Sequence, residues 1–409
     1  MGIDREGDWR LVPLSEVVEP ARPVTYGVVQ PGPRLEWGGI PLIRGRDYSG
    51  GSVDESDLYR IRPEIADAYR RSTVNTGDLL LSIVGYVGVV AEVPAPLDGA
   101  NITQTTARVA IRKNHCSKFI LFQLRSEYCQ AFIRRITKGS AQPGINLEDV
   151  ERIPLLMPPL AEQLRIAEIL DEVDRRTEFL QRSIAKLELL RGAQVSDLLS
   201  RVDLSPVPLR TALRARPRNG YSPKESAAWT GISMLGLGCL TETGFVPIQL
   251  KNSPASDPAV LRALLHDGDL LMSRANTPEL VGMVGIYRDI GNPCIYPDLM
   301  MRLDMRAEYR ADYLELVLSS EEVRARIKAM AQGTSGSMAK ITASAVGEIP
   351  IKLPATSIQD QILRLVNATD QRIGLIKRKL EKFRQIRQGL MDDLLSGKVR
   401  VKVAESAGM

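Results

Sequence analysis

The sequence predicts a mixed α/β (α+β) protein written twice: two similar globular parts, two long antiparallel coiled-coil helices between and after them, and an internal pseudo-twofold relation. Three observations carry this. Motifs in the first half recur in the second in the same order, short apolar runs bounded by turn residues fill each globular part, and a 4,3 apolar spacing runs through each remaining segment.

The repeat is read directly. "VPL" at Val12 matches "VPL" at Val207, "TGDLLLS" at Thr76 matches "DGDLLMS" at Asp267, and "GVVAEV" at Gly88 answers "GMVGIY" at Gly282. "KGS" at Lys138 answers "QGT" at Gln332, and "SDLLSRV" at Ser196 answers "DDLLSGKV" at Asp392. The offset drifts only between 191 and 196, as loop insertions in a common fold produce. The segments expected are residues 1–157, a first globular domain; 158–203, a helix; 204–353, a second globular domain; 354–400, a second helix; and 401–409, a tail.

Within the globular parts, "DLLLSIVG", "VGVVAEV" and "TTARVAI" read as strands, as do "DLLMS", "LVGMVGIY" and "LMMRLDM". "SKFILFQLRSEYCQAFIRRI" and "ADYLELVLSSEEVRARIKAM" each read as one helical stretch. Each part is therefore mixed rather than all-β.

The first helix seam runs through Ile166, Leu170, Val173, Thr177, Leu180, Ile184, Leu187, Arg191, Gln194 and Leu198. Its echo runs through Ile362, Val366, Thr369, Ile373, Ile376, Leu380, Phe383, Arg387, Leu390 and Leu394. A 3.5-residue apolar period sustained over several heptads is a coiled-coil seam, and roughly 38 residues at 1.5 Å each make a helix of about 57 Å. Arg191 and Arg387 share one seam position. Two fates are open to them: pairing with a carboxylate across the seam, or reaching out to water.

An apolar share of 44% and a charged share of 25% are ordinary for a globular chain, so neither a fibrous nor a disordered class fits. No apolar run approaches a membrane span, and "MGIDREGDWRLVPL" lacks a secretory h-region, so a cytoplasmic protein is expected. Cys116, Cys129, Cys239 and Cys294 form no CxxC pair and only His115 and His266 are present, so neither a disulfide framework nor a metal site is expected. A net charge of +5 with pI near 9.0 permits an anionic partner without requiring one.

Catalytic signatures are missing. No phosphate-binding GxxxxGK[ST] occurs, and "GLGCLTETG" lacks the third glycine of a dinucleotide turn. "NPCI" at Asn292 lacks the stacking aromatic of a base-flipping methyltransferase loop, and "YPD" at Tyr296 has no lysine to complete a nuclease strand. The chain reads as a non-catalytic binding scaffold.

"IPLLMPPLAEQLRIAEILDEVDRR" and "IPIKLPATSIQDQILRLVNATDQR" each run from strand through proline turn and glutamine into a long helix. With "TGDLLLS", "KGSAQPGINLEDVERI" and "HDGDLLMS", this grammar resembles the specificity (S, HsdS) subunit of Type I restriction-modification systems over nearly the whole chain. The second copy departs from the pattern: Pro159 is matched by Ala355, Glu162 by Ile358, and "SAQPGIN" by "SGSMAKI". The resemblance implies two target-recognition domains, each reading one half of a bipartite double-stranded DNA target, and paired conserved-region helices that set the spacer. It further implies docking of two methyltransferase subunits, with restriction/translocase subunits possible as further partners. The chain itself would hold no cofactor, with S-adenosylmethionine, ATP and Mg on the partners. The other class of function kept open is a coiled-coil scaffold or regulatory protein of a defence assembly that binds protein rather than specific DNA.

Base reading uses Arg or Lys for guanine and Asn or Gln for adenine, presented from loops. Candidates in the first domain are Arg44, Arg46, Tyr86, Asn101, Gln104, Lys138, Ser140 and Gln142. In the second they are Lys251, Asn252, Arg274, Asn276, Ser335, Ser337 and Lys340.

Overall fold

A computed structural model describes residues 9–139, 141–254, 257–331 and 338–402. Two compact units emerge, Met1–Leu180 with Lys379–Met409, and Gln181–Arg378. Each unit holds one globular part and portions of both long helices, so the compact units cut across the segments that periodicity suggests.

In the first unit the central sheet has the order Thr25–Tyr26, Thr106–Val109, Leu79–Ser82, Val90–Glu92, antiparallel throughout. All four residues of Leu79–Ser82 are buried, which is why "LLLS" shows no alternation: a strand covered on both faces reads as a continuous apolar run. Leu79 and Leu81 join Phe119 and Phe122 on one face, while Leu80 joins Ile43, Val74 and Ile102 on the other. A second sheet, Tyr59–Ile61, Ile40–Ile43 and Asn101–Ile102, pairs antiparallel and then parallel. Arg10–Pro13 pairs with Pro154–Met157, bringing the two ends of the globular part together.

The second unit repeats this order and these senses. Its central sheet is Arg218–Asn219, Met300–Leu303, Leu270–Ser273, Val284–Ile286, and its mixed sheet is Leu250–Asn252, Ser233–Leu235, Cys294–Ile295. Val207–Pro208 pairs with Pro350–Ile351. Leu270 and Met272 face one core and Leu271 the other, as their counterparts do.

The helical stretch is present in both copies, with one break in each. Each helical stretch is two helices, Ser117–Arg125 with Glu127–Ile136, and Ala311–Ser319 with Glu321–Met330. The break falls on Ser126 (ψ 152°) and Ser320 (ψ 147°), extended residues that serve as N-caps. Ser126 Oγ accepts from the Cys129 amide, an arrangement that competes with continuation of the helix.

The long helices are Leu160–Ser200 and Thr356–Leu394. Every seam position named above is buried or half-buried, while flanking positions such as Arg175, Arg176, Lys382 and Arg384 are exposed. Within the first unit Arg387 pairs with Asp174; within the second Arg191 pairs with Asp370 and Lys377 with Glu188 at 2.8 Å. Rising numbers on one helix meet falling numbers on the other, so the seam is antiparallel. Both arginines pair across it rather than reaching for water, and 174/370 and 191/387 are themselves repeat-equivalent positions.

The repeated glutamine acquires a role. Gln163 and Gln359 are buried, and each donates from Nε2 at 2.8 Å to a proline carbonyl of the preceding turn, Pro158 or Pro354. Each Oε1 accepts at 3.0 Å from the amide that caps the nearest globular helix, that of Cys116 or Arg310. One side chain thus ties turn, long helix and globular helix, and Gln satisfies both partners because it alone offers a donor and an acceptor at that length. The degenerate neighbour is also explained. Glu162 is buried and accepts from Arg400, the Val401 amide and the Trp9 indole, whereas Ile358 faces solvent. Burial alone would raise the Glu162 pKa; these hydrogen bonds and the Arg400 charge outweigh it and hold the carboxyl below the usual range.

Candidate nucleic-acid interface

Four loops of the first unit converge at one end of the central sheet. The Ile83 amide donates to Thr105 O (2.9 Å), the Ile145 amide to Ile83 O (2.9 Å), and the Gly85 amide to Pro143 O (2.8 Å). A Cβ on Gly45 would lie 3.2 Å from Ser82 Oγ and 3.5 Å from Thr105 Oγ1, so the Arg44–Asp47 loop packs against the same end. The structure therefore brings together Arg46, Tyr86, Gln104, Lys138 and Gln142, all exposed. Lys138 and Gly144 exchange backbone hydrogen bonds at 3.0 and 2.9 Å, which holds the base of its loop. Ser140 lies outside the described residues.

Two candidates are withdrawn from that rim. Asn101 is 1% exposed: its Oδ1 accepts from Ser72 Oγ (2.7 Å) and the Ile102 amide (2.9 Å), so the side chain satisfies its own strand end. Arg44 forks onto Asp47, donates to Asp57 O and stands 5.6 Å over the Tyr59 ring. With a side chain 19% exposed, against 66% for Arg46, Arg44 shapes the loop that displays Arg46.

In the second unit Arg274, Asn276 and Lys340 are neighbours, because Ala275–Asn276 pairs with Ala339–Lys340. Arg274 is half-buried with Nη1 3.4 Å from Asp298 O. Lys251 and Asn252 sit instead on the strand Leu250–Asn252, where Lys251 approaches Glu225 at 3.6 Å. Ser335 and Ser337 lie outside the described residues.

A second basic locality escaped loop-based reasoning. Arg22, Arg70, Arg71 and Arg108 line a cleft of about 670 Å³ in the first unit. Arg22 forks onto Asp78 at 2.8 and 2.6 Å, leaving Arg108, 4% exposed, to donate to the carbonyls of Thr73 (3.2 Å) and Pro23 (2.8 Å). Burial, and then the Arg22 charge, press the Arg108 pKa downward against the pull of Asp78. The available signal was the tripeptide "ARP", present at Ala21 and again at Ala215.

Among the described residues no three His, Cys, Asp or Glu side chains are grouped to hold a metal, and no helix is long and apolar enough to cross a membrane.

Residues 7–189 match the family model for the Type I restriction modification DNA specificity domain. The EcoBI specificity subunit of Escherichia coli, a Type I restriction enzyme subunit, is 32% identical over 197 residues, 48% of this chain and 39% of that one. The EcoKI specificity subunit of E. coli K12 is 24% identical over 380 residues, 88% of this chain and 81% of that one. The first repeat of the chain is thus similar to the Type I specificity domain, over a little under half of the chain. Alignment to the EcoBI member spans about two fifths of that subunit's length, whereas alignment to the EcoKI member spans most of it.

Solved structures extend the likeness in fold. A chain from a type I R-M system, described for complex assembly and conformational transition, superposes with TM-score 0.60 at 16% identity, covering 96% of this chain and 98% of that one. The S subunit from M. genitalium gives TM-score 0.54 at 15% identity, covering 97% and 98%. These solved chains thus share the fold across both repeats, while the family model itself covers the first. That asymmetry matches the more degenerate wording of the second copy.

Proposed function

We propose that this chain is the DNA sequence-specificity subunit of a Type I restriction-modification complex. Each globular part reads one half of a bipartite target, and the antiparallel helix pair sets the spacer between half-sites. The observation that carries this is a core repeated strand for strand whose loops differ: common architecture presents each half, and divergent Arg46, Gln104 and Lys138 against Arg274, Asn276 and Lys340 specify different words.

The chain contributes recognition and no chemistry. Two methyltransferase subunits dock on it, with S-adenosylmethionine bound by them; restriction/translocase subunits, where present, bring ATP and Mg. Exposed Leu189, Leu190 and Leu375 on the long helices support a docking surface, since large apolar side chains in such positions mark protein contacts.

The test is a domain exchange in the assembled complex. Replacing residues 204–353 with the equivalent domain of another family member should change one half-site in a methylation map and leave the other. A complex that still assembles and methylates but changes both words refutes the division of labour.

A further inference from the structure

Each repeat carries the same arginine-rich set at the same place, and loop-based base reading does not use it. In the first unit Arg22 pairs with Asp78, and Arg71 and Arg108 line the same cleft; in the second, Arg302 pairs with Asp269, and Arg216 and Arg262 are the repeat-equivalents of Arg22 and Arg71 in sequence. Arg108 and Arg302 are register-equivalent, standing opposite Leu80 and Leu271 in the central sheets. The carbonyls they use are equivalent too, Thr73 O at 3.2 Å and Leu264 O at 3.1 Å.

The pairing within the set differs between copies, and the surplus does not. In the first, Arg22 takes the aspartate and Arg108 is left on backbone carbonyls, with its buried Nε lacking any hydrogen-bond partner. In the second, Arg302 takes Asp269 at 3.2 Å while Arg216 is exposed. Either way the central aspartate takes one guanidinium of the set; in the first unit Arg108 remains beside that pair, and in the second the equivalent of Arg22, Arg216, stays exposed. Glycine packing holds the segment in place: a Cβ on Gly27 would lie 1.7 Å from Ile102 O, and one on Gly220 2.0 Å from Tyr296 O. Arg71 and Arg262, both exposed, stand two residues before the equivalent carbonyls.

We infer that these two sets are phosphate clamps, each gripping one phosphodiester of the DNA backbone, one per half-site. The inference rests on the DNA-recognition reading above and adds sequence-independent contacts to it. Guanidinium forks match phosphate oxygens with two parallel N–H donors. Base readers must differ between the halves because the words differ, whereas a phosphate is the same in every word, so its contacts can stay duplicated. The cleft also presents guanidinium, hydroxyl and amide groups from Arg22, Arg71, Thr25, Thr73 and Asn75, which suits a polyanion better than the apolar anchors of a protein contact.

The test uses the complex with its methyltransferase partners, a duplex carrying the mapped target, and a scrambled duplex of the same length. R71Q/R262Q alters exposed side chains. Each lost contact removes about 0.9 from the slope of log affinity against log salt, so the pair should flatten it by about 1.8. With affinity at 1 M salt unchanged, that is about 60-fold weaker binding at 0.1 M. The preference for target over scrambled duplex should stay as in the wild type, and R71K/R262K should keep most of the slope. An unchanged slope for R71Q/R262Q overturns the clamps, as does equal loss in the lysine variant. Loss of methyltransferase from the purified complex with DNA slope intact would assign the arginines to a protein partner and equally overturn them. A wild-type complex that binds both duplexes alike would instead defeat the sequence-reading function, while the slope comparison still decides the clamps.

Discussion

Replacing Gln163 by leucine keeps the side-chain volume and removes both latch hydrogen bonds, to Pro158 O at 2.8 Å and from the Cys116 amide at 3.0 Å. Gln163 and Pro158 are buried, so the orphaned carbonyl has no water to turn to, while half-buried Cys116 is partly compensated. At roughly 1–3 kcal/mol per buried group left unsatisfied, the substitution should cost about 2–4 kcal/mol locally. An opening cost lowered by about 3 kcal/mol corresponds to roughly 150-fold faster exchange. Hydrogen–deuterium exchange is the right assay, because a chain of two compact units need not unfold in one step. Peptides covering Cys116–Phe119 and Leu160–Ile166 should lose protection together, with the strand Leu79–Ser82 unaffected. Gln163→Glu should behave similarly, since a carboxylate still accepts from the Cys116 amide but meets Pro158 O with a lone pair. Unchanged exchange at both peptides in Gln163→Leu would refute the latch.

Other outcomes follow from the same geometry. Asp174, 21% exposed and shared by Arg125 (3.6 Å) and Arg387, should cost about 1–3 kcal/mol in thermal or urea unfolding when changed to alanine. Asp370, 39% exposed with Arg191, should cost under about 1 kcal/mol, and equal effects would contradict the burial argument. Because the folded Glu162 pKa lies below the ordinary 4.5, its stabilisation is full above that value and is lost as pH falls through the lower folded one. Arg400→Ala should flatten the acid limb of a stability–pH curve measured between pH 6 and 3, values spanning roughly the glutamate range. Burial raises the Cys116 thiol as well as those of Cys129 and Cys294, the latter two to about 12; of the four cysteines only Cys116 is half-buried rather than buried, so in native protein an alkylating agent should label it first. Arg46→Ala should weaken DNA binding without moving the melting temperature, and Arg44→Ala should lower that temperature; the reverse pattern would show the loop misread.

By itself the sequence determined the architecture. A 3.5-residue apolar period leaves one solution for a long helix, so all twenty seam positions are covered, and the duplicated strand words fold into sheets of identical order. It also marked the rim holding Arg46, Tyr86 and Gln104, because polar residues shortly after buried strands emerge at a sheet end; Lys138 reaches the same rim from a loop after a helix. Tertiary structure decided which polar side chains are spoken for. Arg44 and Arg46 are two positions apart and alike in chemistry, yet Arg44 is held by a fork onto Asp47 and by the Tyr59 ring, while Arg46 only approaches Asp47 at 3.8 Å and stays exposed. Asn101 reads as a loop amide until Ser72 is brought to it from 29 positions away. Likewise the repeated glutamine is legible as a constant of the grammar, but its two partners lie 5 and 47 residues off. Apolar burial is additive along a chain and shows as periodicity, whereas hydrogen-bond satisfaction depends on partners that only folding supplies.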